Sequence, residues 1–214
     1  MAPHLTDLYG AIRQAIIALY LKALTARLLA AFGVRQLGLG ALLMMKLNIV
    51  ALDPADQLVR AWFVIALVCS LGGDVFLLDG DRYFVPGLVS FLFAHLAYSF
   101  GFLALGDWSA AGFVAGALMM AALGFAVGVR IVLAARRKER RLGPAVTIYL
   151  LAISMMFCAA MATGSTWAIL GAALFVASDS VIGWRQFVAT ASWMPVTIMV
   201  SYHLGQAGLV ASLL

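Results

Sequence analysis

Residues 109–141 read SAAGFVAGALMMAALGFAVGVRIVLAARRKERR, and this stretch decides what kind of protein the chain is. From Ser109 to Val129 no side chain carries a charge. Then Arg136, Arg137, Lys138, Arg140 and Arg141 crowd together, interrupted only by Glu139. A hydrocarbon core about 30 Å thick takes roughly 20 apolar residues as one helix. Residues 109–133 therefore read as a membrane span, and the basic run after them as the loop that stops it on the cytoplasmic side.

The rest of the chain has the same character. Of its 214 residues 65% are hydrophobic and 11% charged, against about 25% charged in a typical soluble domain. The mean hydropathy is +1.06. A soluble fold is excluded on charge content alone. Eight apolar segments can be drawn, at 9–33, 36–52, 58–79, 83–105, 109–133, 143–163, 166–185 and 189–211. Their breaks carry turn-forming residues: Asp53-Pro54, Asp79-Gly80-Asp81-Arg82, Gly106-Asp107 and Gly143-Pro144. The first segment contains Arg13, Lys22 and Arg27, which suits a partly interfacial helix or snorkelling side chains. The expected fold is all-α, a polytopic transmembrane bundle of about eight helices forming a single integral membrane domain over residues 1–214. Met1–Tyr9 has no basic n-region, so no cleavable signal peptide is expected. No internal repeat is visible, and Cys69 and Cys158 lie in apolar runs where a disulfide is not expected.

With eight crossings, the loops after the first, third, fifth and seventh segments share one side of the membrane. That side and its helix ends hold Arg27, Arg35, Arg82, Arg130, Arg136, Arg137, Lys138, Arg140, Arg141 and Arg185, ten of the fourteen cationic residues. The positive-inside rule puts these loops in the cytoplasm and both termini outside. The net charge of +5 is then a topogenic signal, with attraction to anionic lipid as a secondary role, and no nucleic-acid partner is implied.

Ionisable residues inside spans are costly and are functional candidates by default. Here they are Lys46, Asp74, His95 and Asp179, accompanied by Tyr98, Tyr149, Ser178, Ser180, Tyr202, His203 and Gln206. Counting from the segment ends at 1.5 Å per residue places Asp74, Tyr149 and Asp179 roughly 8–9 Å inside the cytoplasmic boundary. His95, Lys46 and Tyr202 fall deeper. Burial penalises a charged carboxylate, and a second carboxylate nearby adds to the penalty. Asp74 and Asp179 can therefore divide acid and base work, one donating a proton while the other stays ionised and activates water. His95 and Tyr98, three apart on one helix face, would orient a head group or tune the pair. The bland alternative is that the aspartates pair with Lys46 or with tyrosine hydroxyls and only lock helices together. Tyr83, Trp108, Trp167 and Trp184 lie near helix ends, as an aromatic belt does. Three scattered histidines and no HExxH or CxxC pattern give no metal site, and a GxSxG nucleophile elbow is absent.

Several blocks together resemble a known family. Ser70-Leu71-Gly72-Gly73-Asp74-Val75-Phe76-Leu77-Leu78 is followed by Phe84-Val85-Pro86-Gly87-Leu88-Val89-Ser90-Phe91 and by Ala94-His95-Leu96-Ala97-Tyr98. Later come Gly171-Ala172-Ala173-Leu174-Phe175-Val176-Ala177-Ser178-Asp179-Ser180 and Ser201-Tyr202-His203-Leu204-Gly205-Gln206. Over about residues 58–211 the chain is similar to the YhhN-like lysoplasmalogenase family of eight-helix membrane proteins. Lys46-Leu47-Asn48 is the nearest counterpart of that family's early Lys-Pro-Leu and lacks its proline.

The resemblance implies hydrolysis of the vinyl-ether bond of a lysophospholipid substrate, a lysoplasmalogen, releasing a fatty aldehyde without metal or organic cofactor. Asp74 and Asp179 would be catalytic. His95, Tyr98, Tyr149, Ser178, Ser180, Tyr202, Gln206 and Lys46 would be substrate-binding. The substrate's chain would lie in an apolar cleft among membrane lipids, with its head group at the cytoplasmic edge. A proton-coupled small-molecule or lipid transporter, using the same aspartates to carry protons, is the alternative. A lipid-binding protein without turnover is a third. The economy of the loops favours a bacterial inner membrane.

Overall fold

A helix in lipid must satisfy its own backbone hydrogen bonds, and from residue 57 onward the chain does little else. A computed structural model of the protein describes residues 57–77 and 80–213. The expected spans 9–33 and 36–52, Lys46 and the two chain ends lie outside the described residues. The helices are α1 (Gln57–Leu77), α2 (Phe84–Ala104), α3 (Ala110–Lys138), α4 (Leu142–Thr163), α5 (Thr166–Phe187) and α6 (Met194–Ala211). A 3-10 turn, Gly80–Tyr83, joins α1 to α2, and the described residues contain no strand. All belong to one compact unit, Pro54–Leu214.

The first five helices are long and apolar enough to cross a membrane. The sixth has 18 residues and carries Tyr202, His203 and Gln206. The bundle is inverted relative to a soluble protein. Phe125 is 83% exposed and Leu118 68%, whereas His95, Tyr98 and Gln206 are fully buried. Apolar surface facing outward with polar groups enclosed is the arrangement a lipid solvent selects. The described residues are all-helical, and the chain is a multi-pass membrane protein.

Helix ends follow local chemistry. Ser109 caps α3 by accepting from the Gly112 amide at 3.2 Å, and Ser165 caps α5 by accepting from Ala168 at 3.4 Å. Gly164 closes α4 with φ +68°, a left-handed cap that suits glycine. Two boundaries differ from the sequence expectation. Helix α3 runs to Lys138 instead of 133, because Ala134 to Lys138 are good helix formers and cations are favoured at a helix C-terminus. Helix α6 starts at Met194 instead of 189, with Pro195 in its first turn, where a missing N–H costs nothing.

Small residues set the packing. A Cβ on Gly73 would lie 2.5 Å from the Phe91 ring, and one on Gly101 would lie 2.7 Å from the Phe63 ring, so α1 and α2 lie antiparallel in close contact. A Cβ on Gly171 would lie 2.5 Å from the Leu209 amide nitrogen, and one on Gly205 3.0 Å from the Gly171 carbonyl. Backbones this close hold α5 and α6 together, as small residues do between membrane helices. Helix α4 packs on α2, α3 and α5 and is the centre of the bundle. No disulfide joins Cys69 to Cys158.

Candidate functional site

The buried polar side chains form two networks. In the first, Tyr149 of α4 donates its hydroxyl hydrogen to Asp179 Oδ2 of α5. His95 Nε2, on α2, lies 3.1 Å from the same oxygen and 3.0 Å from the Tyr149 hydroxyl. His95 Nδ1 is buried and has no hydrogen-bond partner among the described residues. An unpaired buried N–H costs more than an unpaired lone pair. With its proton on Nε2, the tautomer that leaves no N–H unpaired, the ring donates to Asp179. Asp179 Oδ2 thus takes both donors, and Oδ1 has no partner among the described residues.

In the second network, Tyr202 of α6 donates to Asp74 Oδ2 of α1 at 3.0 Å. Gln206 Nε2 donates to the Tyr202 hydroxyl at 3.3 Å, and Tyr98 donates to Gln206 Oε1 at 2.6 Å. His95 and Tyr98, expected on one face toward one ligand, are therefore divided between the networks. Helix α6 brings Tyr202 and Gln206, four residues apart, into one of them.

Aromatic rings stand between the two. Phe175 packs edge-on against His95 at 4.9 Å on one side and against Tyr202 at 5.2 Å on the other. Phe91 contacts both Phe175 and Tyr202. Nothing in the sequence distinguished Phe91 and Phe175 from the many other core aromatics.

His95 and Tyr202, expected deeper than the aspartates, reach them because Cα–Cβ bonds tilt toward a helix N-terminus. Helices α2 and α6 begin at the end of the bundle that carries the basic loops, so their side chains lean back toward it. Asp74 and Asp179 sit on helices running the other way and lean inward. Ser178 donates to the Ile198 carbonyl at 3.2 Å and clasps α5 to α6, while Ser180 donates to the Val176 carbonyl of its own helix at 2.7 Å.

The first network meets a cleft. Asp179, Tyr149, Ser180 and Ser154 are the polar side chains in a wall otherwise made of apolar residues and glycine from α1 to α5. About 820 Å³ of empty space lies within it, part of it open to the outside. On α3 the wall runs from Met120 to Ile131, eleven residues or about 16 Å. Midway along it, Gly124–Gly128 form a π turn, a widening that often marks functional sites. Gly124 and Gly128, four residues apart, were the sequence signal for it. Asp74 is not among the cleft-lining residues. The described residues hold no group of three or more His, Cys, Asp or Glu side chains placed to bind a metal ion.

The model of the YhhN family matches residues 17–213. A protein named lysoplasmalogenase from Mycobacterium bovis is 33% identical over 147 residues, which are 67% of this chain and 56% of that protein. Human lysoplasmalogenase TMEM86B is 33% identical over 145 residues, 66% of this chain and 58% of the human protein. The chain thus spans little more than half the length of the curated relatives it matches. No solved structure matches it.

Proposed function

The chain belongs to the YhhN family, and from that premise we propose that it is a membrane-embedded hydrolase cleaving the vinyl-ether bond of lysoplasmalogens. The observation that carries the reading is a carboxyl group, Asp179, set in the wall of an apolar cleft and backed by Tyr149 and His95. A vinyl ether is hydrolysed by protonation of its β-carbon, which leaves an oxocarbenium ion at the carbon bearing oxygen. Water adds there to give a hemiacetal, which collapses to a fatty aldehyde and the glycerophospho alcohol. The proton lent by the carboxyl group returns from the attacking water.

Asp179 is the group that gives and recovers the proton, and Oδ1 is its available oxygen. Tyr149 and His95 fix its orientation through Oδ2. Its ionised form also stabilises the cation that forms beside it. Asp74 is the second carboxyl group of the expected acid/base pair. Its contact with Tyr202, behind Phe91 and Phe175, also holds α1 to α6, and on this reading it supports the reaction through that packing. The hydrocarbon chain of the substrate lies among the apolar residues of the cleft. Eight crossings, both termini outside and a bacterial inner membrane complete the reading.

Purified protein in detergent, given an alkenyl lysophospholipid, should release one aldehyde per vinyl ether consumed. An alkyl-ether analogue should bind without turnover. Proton-driven uptake of a solute into liposomes, with no aldehyde formed, would replace the hydrolase with a transporter.

A further inference from the structure

The cleft has a second chemical feature at its mouth. Phe187, at the end of α5, lines the cleft and packs edge-on against Phe84 at 5.5 Å. The ammonium of Lys138, in the last turn of α3, lies 5.9 Å from the centre of the Phe187 ring. Lys138 therefore stands at the rim of the same space that holds Asp179. It belongs to the exposed basic run at 136–141, and among the described residues no cation of that run makes an ion pair with a carboxylate.

We propose that the rim of the cleft is a phosphate-ester subsite centred on Lys138, which holds the anionic head of a lysophospholipid while its chain points inward. The proposal rests on the hydrolase reading for the identity of the lipid. Phe187 and Asp179 are eight residues apart on one helix, a rise of about 12 Å. In a lysoplasmalogen seven bonds separate phosphorus from the vinyl-ether β-carbon, and at about 1.25 Å of advance per bond, from single bonds of about 1.5 Å as in a backbone Cα–C bond, that is about 9 Å when extended. A contact of about 3 Å at each end extends that reach to about 15 Å, which covers the rise from Asp179 to Phe187 and part of the 5.9 Å from the Phe187 ring centre to the Lys138 ammonium. One end of the substrate can then meet Lys138 while its reacting carbon meets Asp179. On the far side of Asp179, Met120, Ile153 and Val176 are apolar and suit the hydrocarbon, with the Ser154 hydroxyl beside them.

The test compares Lys138→Gln with Arg137→Gln. Arg137 lies in the same run, two positions from buried Ala135 and so on the opposite face of α3. Each full-length variant is given an alkenyl lysophospholipid and the corresponding alkenylglycerol, which has the vinyl ether and no phosphate. Lys138→Gln should raise KM for the phospholipid about tenfold, as expected for losing one charge-assisted contact. It should leave kcat within about twofold and both constants unchanged for the alkenylglycerol. Arg137→Gln should change neither substrate.

An equal loss on both substrates, no loss on either, or a loss that follows the anionic lipid content of the surrounding vesicle would overturn the subsite. Displacement of the lysolipid by an equal concentration of inorganic phosphate would also overturn it, by making the rim a general anion site. Binding of the uncleavable alkyl lysophospholipid, measured by calorimetry on wild type and Lys138→Gln, needs no turnover. A protein that binds it through Lys138 yet releases no aldehyde keeps the subsite and loses the hydrolase reading.

Discussion

Asp179 and Asp74 are both intramembrane aspartates, each accepting a hydrogen bond from a tyrosine, yet their surroundings differ in kind. Asp179 has one oxygen held by Tyr149 and His95 and stands in the wall of a cleft. Asp74 is tied to Tyr202 in a chain that runs through Gln206 to Tyr98 and is not among the residues lining that cleft. A buried carboxyl group becomes chemically useful when part of it is left for a ligand. On the reading proposed above, a carboxyl group tied to a neighbouring helix serves packing instead. The difference lies in Phe91 and Phe175, which separate the networks.

The comparison can be broken most directly at the aspartates themselves. Asp179→Asn removes the transferable proton but keeps the shape, and should lower the aldehyde-release kcat by about 10³-fold or more with the helical circular-dichroism signal unchanged. His95→Gln should cost about 10²-fold in kcat with little change in KM, because it releases the carboxyl from its fixed orientation without touching the lipid. Asp74→Asn should cost about tenfold in activity and lower the thermal midpoint, through a weakened contact of about 1–2 kcal/mol between α1 and α6. Equal losses at the two aspartates would return them to one acid/base pair sharing the chemistry. The smallest effect on catalysis should come from Gly171→Ala. Its methyl would meet the Leu209 backbone, so stability should fall by about 1–3 kcal/mol while activity per folded molecule is kept. A thermal melt read beside a specific-activity assay separates the two.

Much of this is legible in the sequence. The spans from residue 58 onward sit within a few residues of the helices, because an apolar run of membrane length has few other ways to satisfy its backbone. The exceptions were local: the last turns of α3, where arginine and alanine extend a helix into a basic loop, and the start of α6, which waits for Pro195. Asp74, Tyr149 and Asp179 stood out because polar residues are scarce in such a chain. The separation into two networks was not legible. It depends on rotation about each helix axis and on which aromatics interdigitate, and Phe91 and Phe175 look like any other core phenylalanine in the sequence.

By itself, then, the sequence determined the solvent, the helices and the short roster of polar residues, since hydropathy and charge act along the chain and can be read along it. The tertiary structure alone decided the partners. His95 went to Asp179 and Tyr98 to Gln206 although they share a helix, and Asp179 came to line a cleft walled by α1 to α5. Those outcomes arise from side chains over 50 residues apart meeting at contact distance, and packing at that range leaves no periodic mark in a sequence.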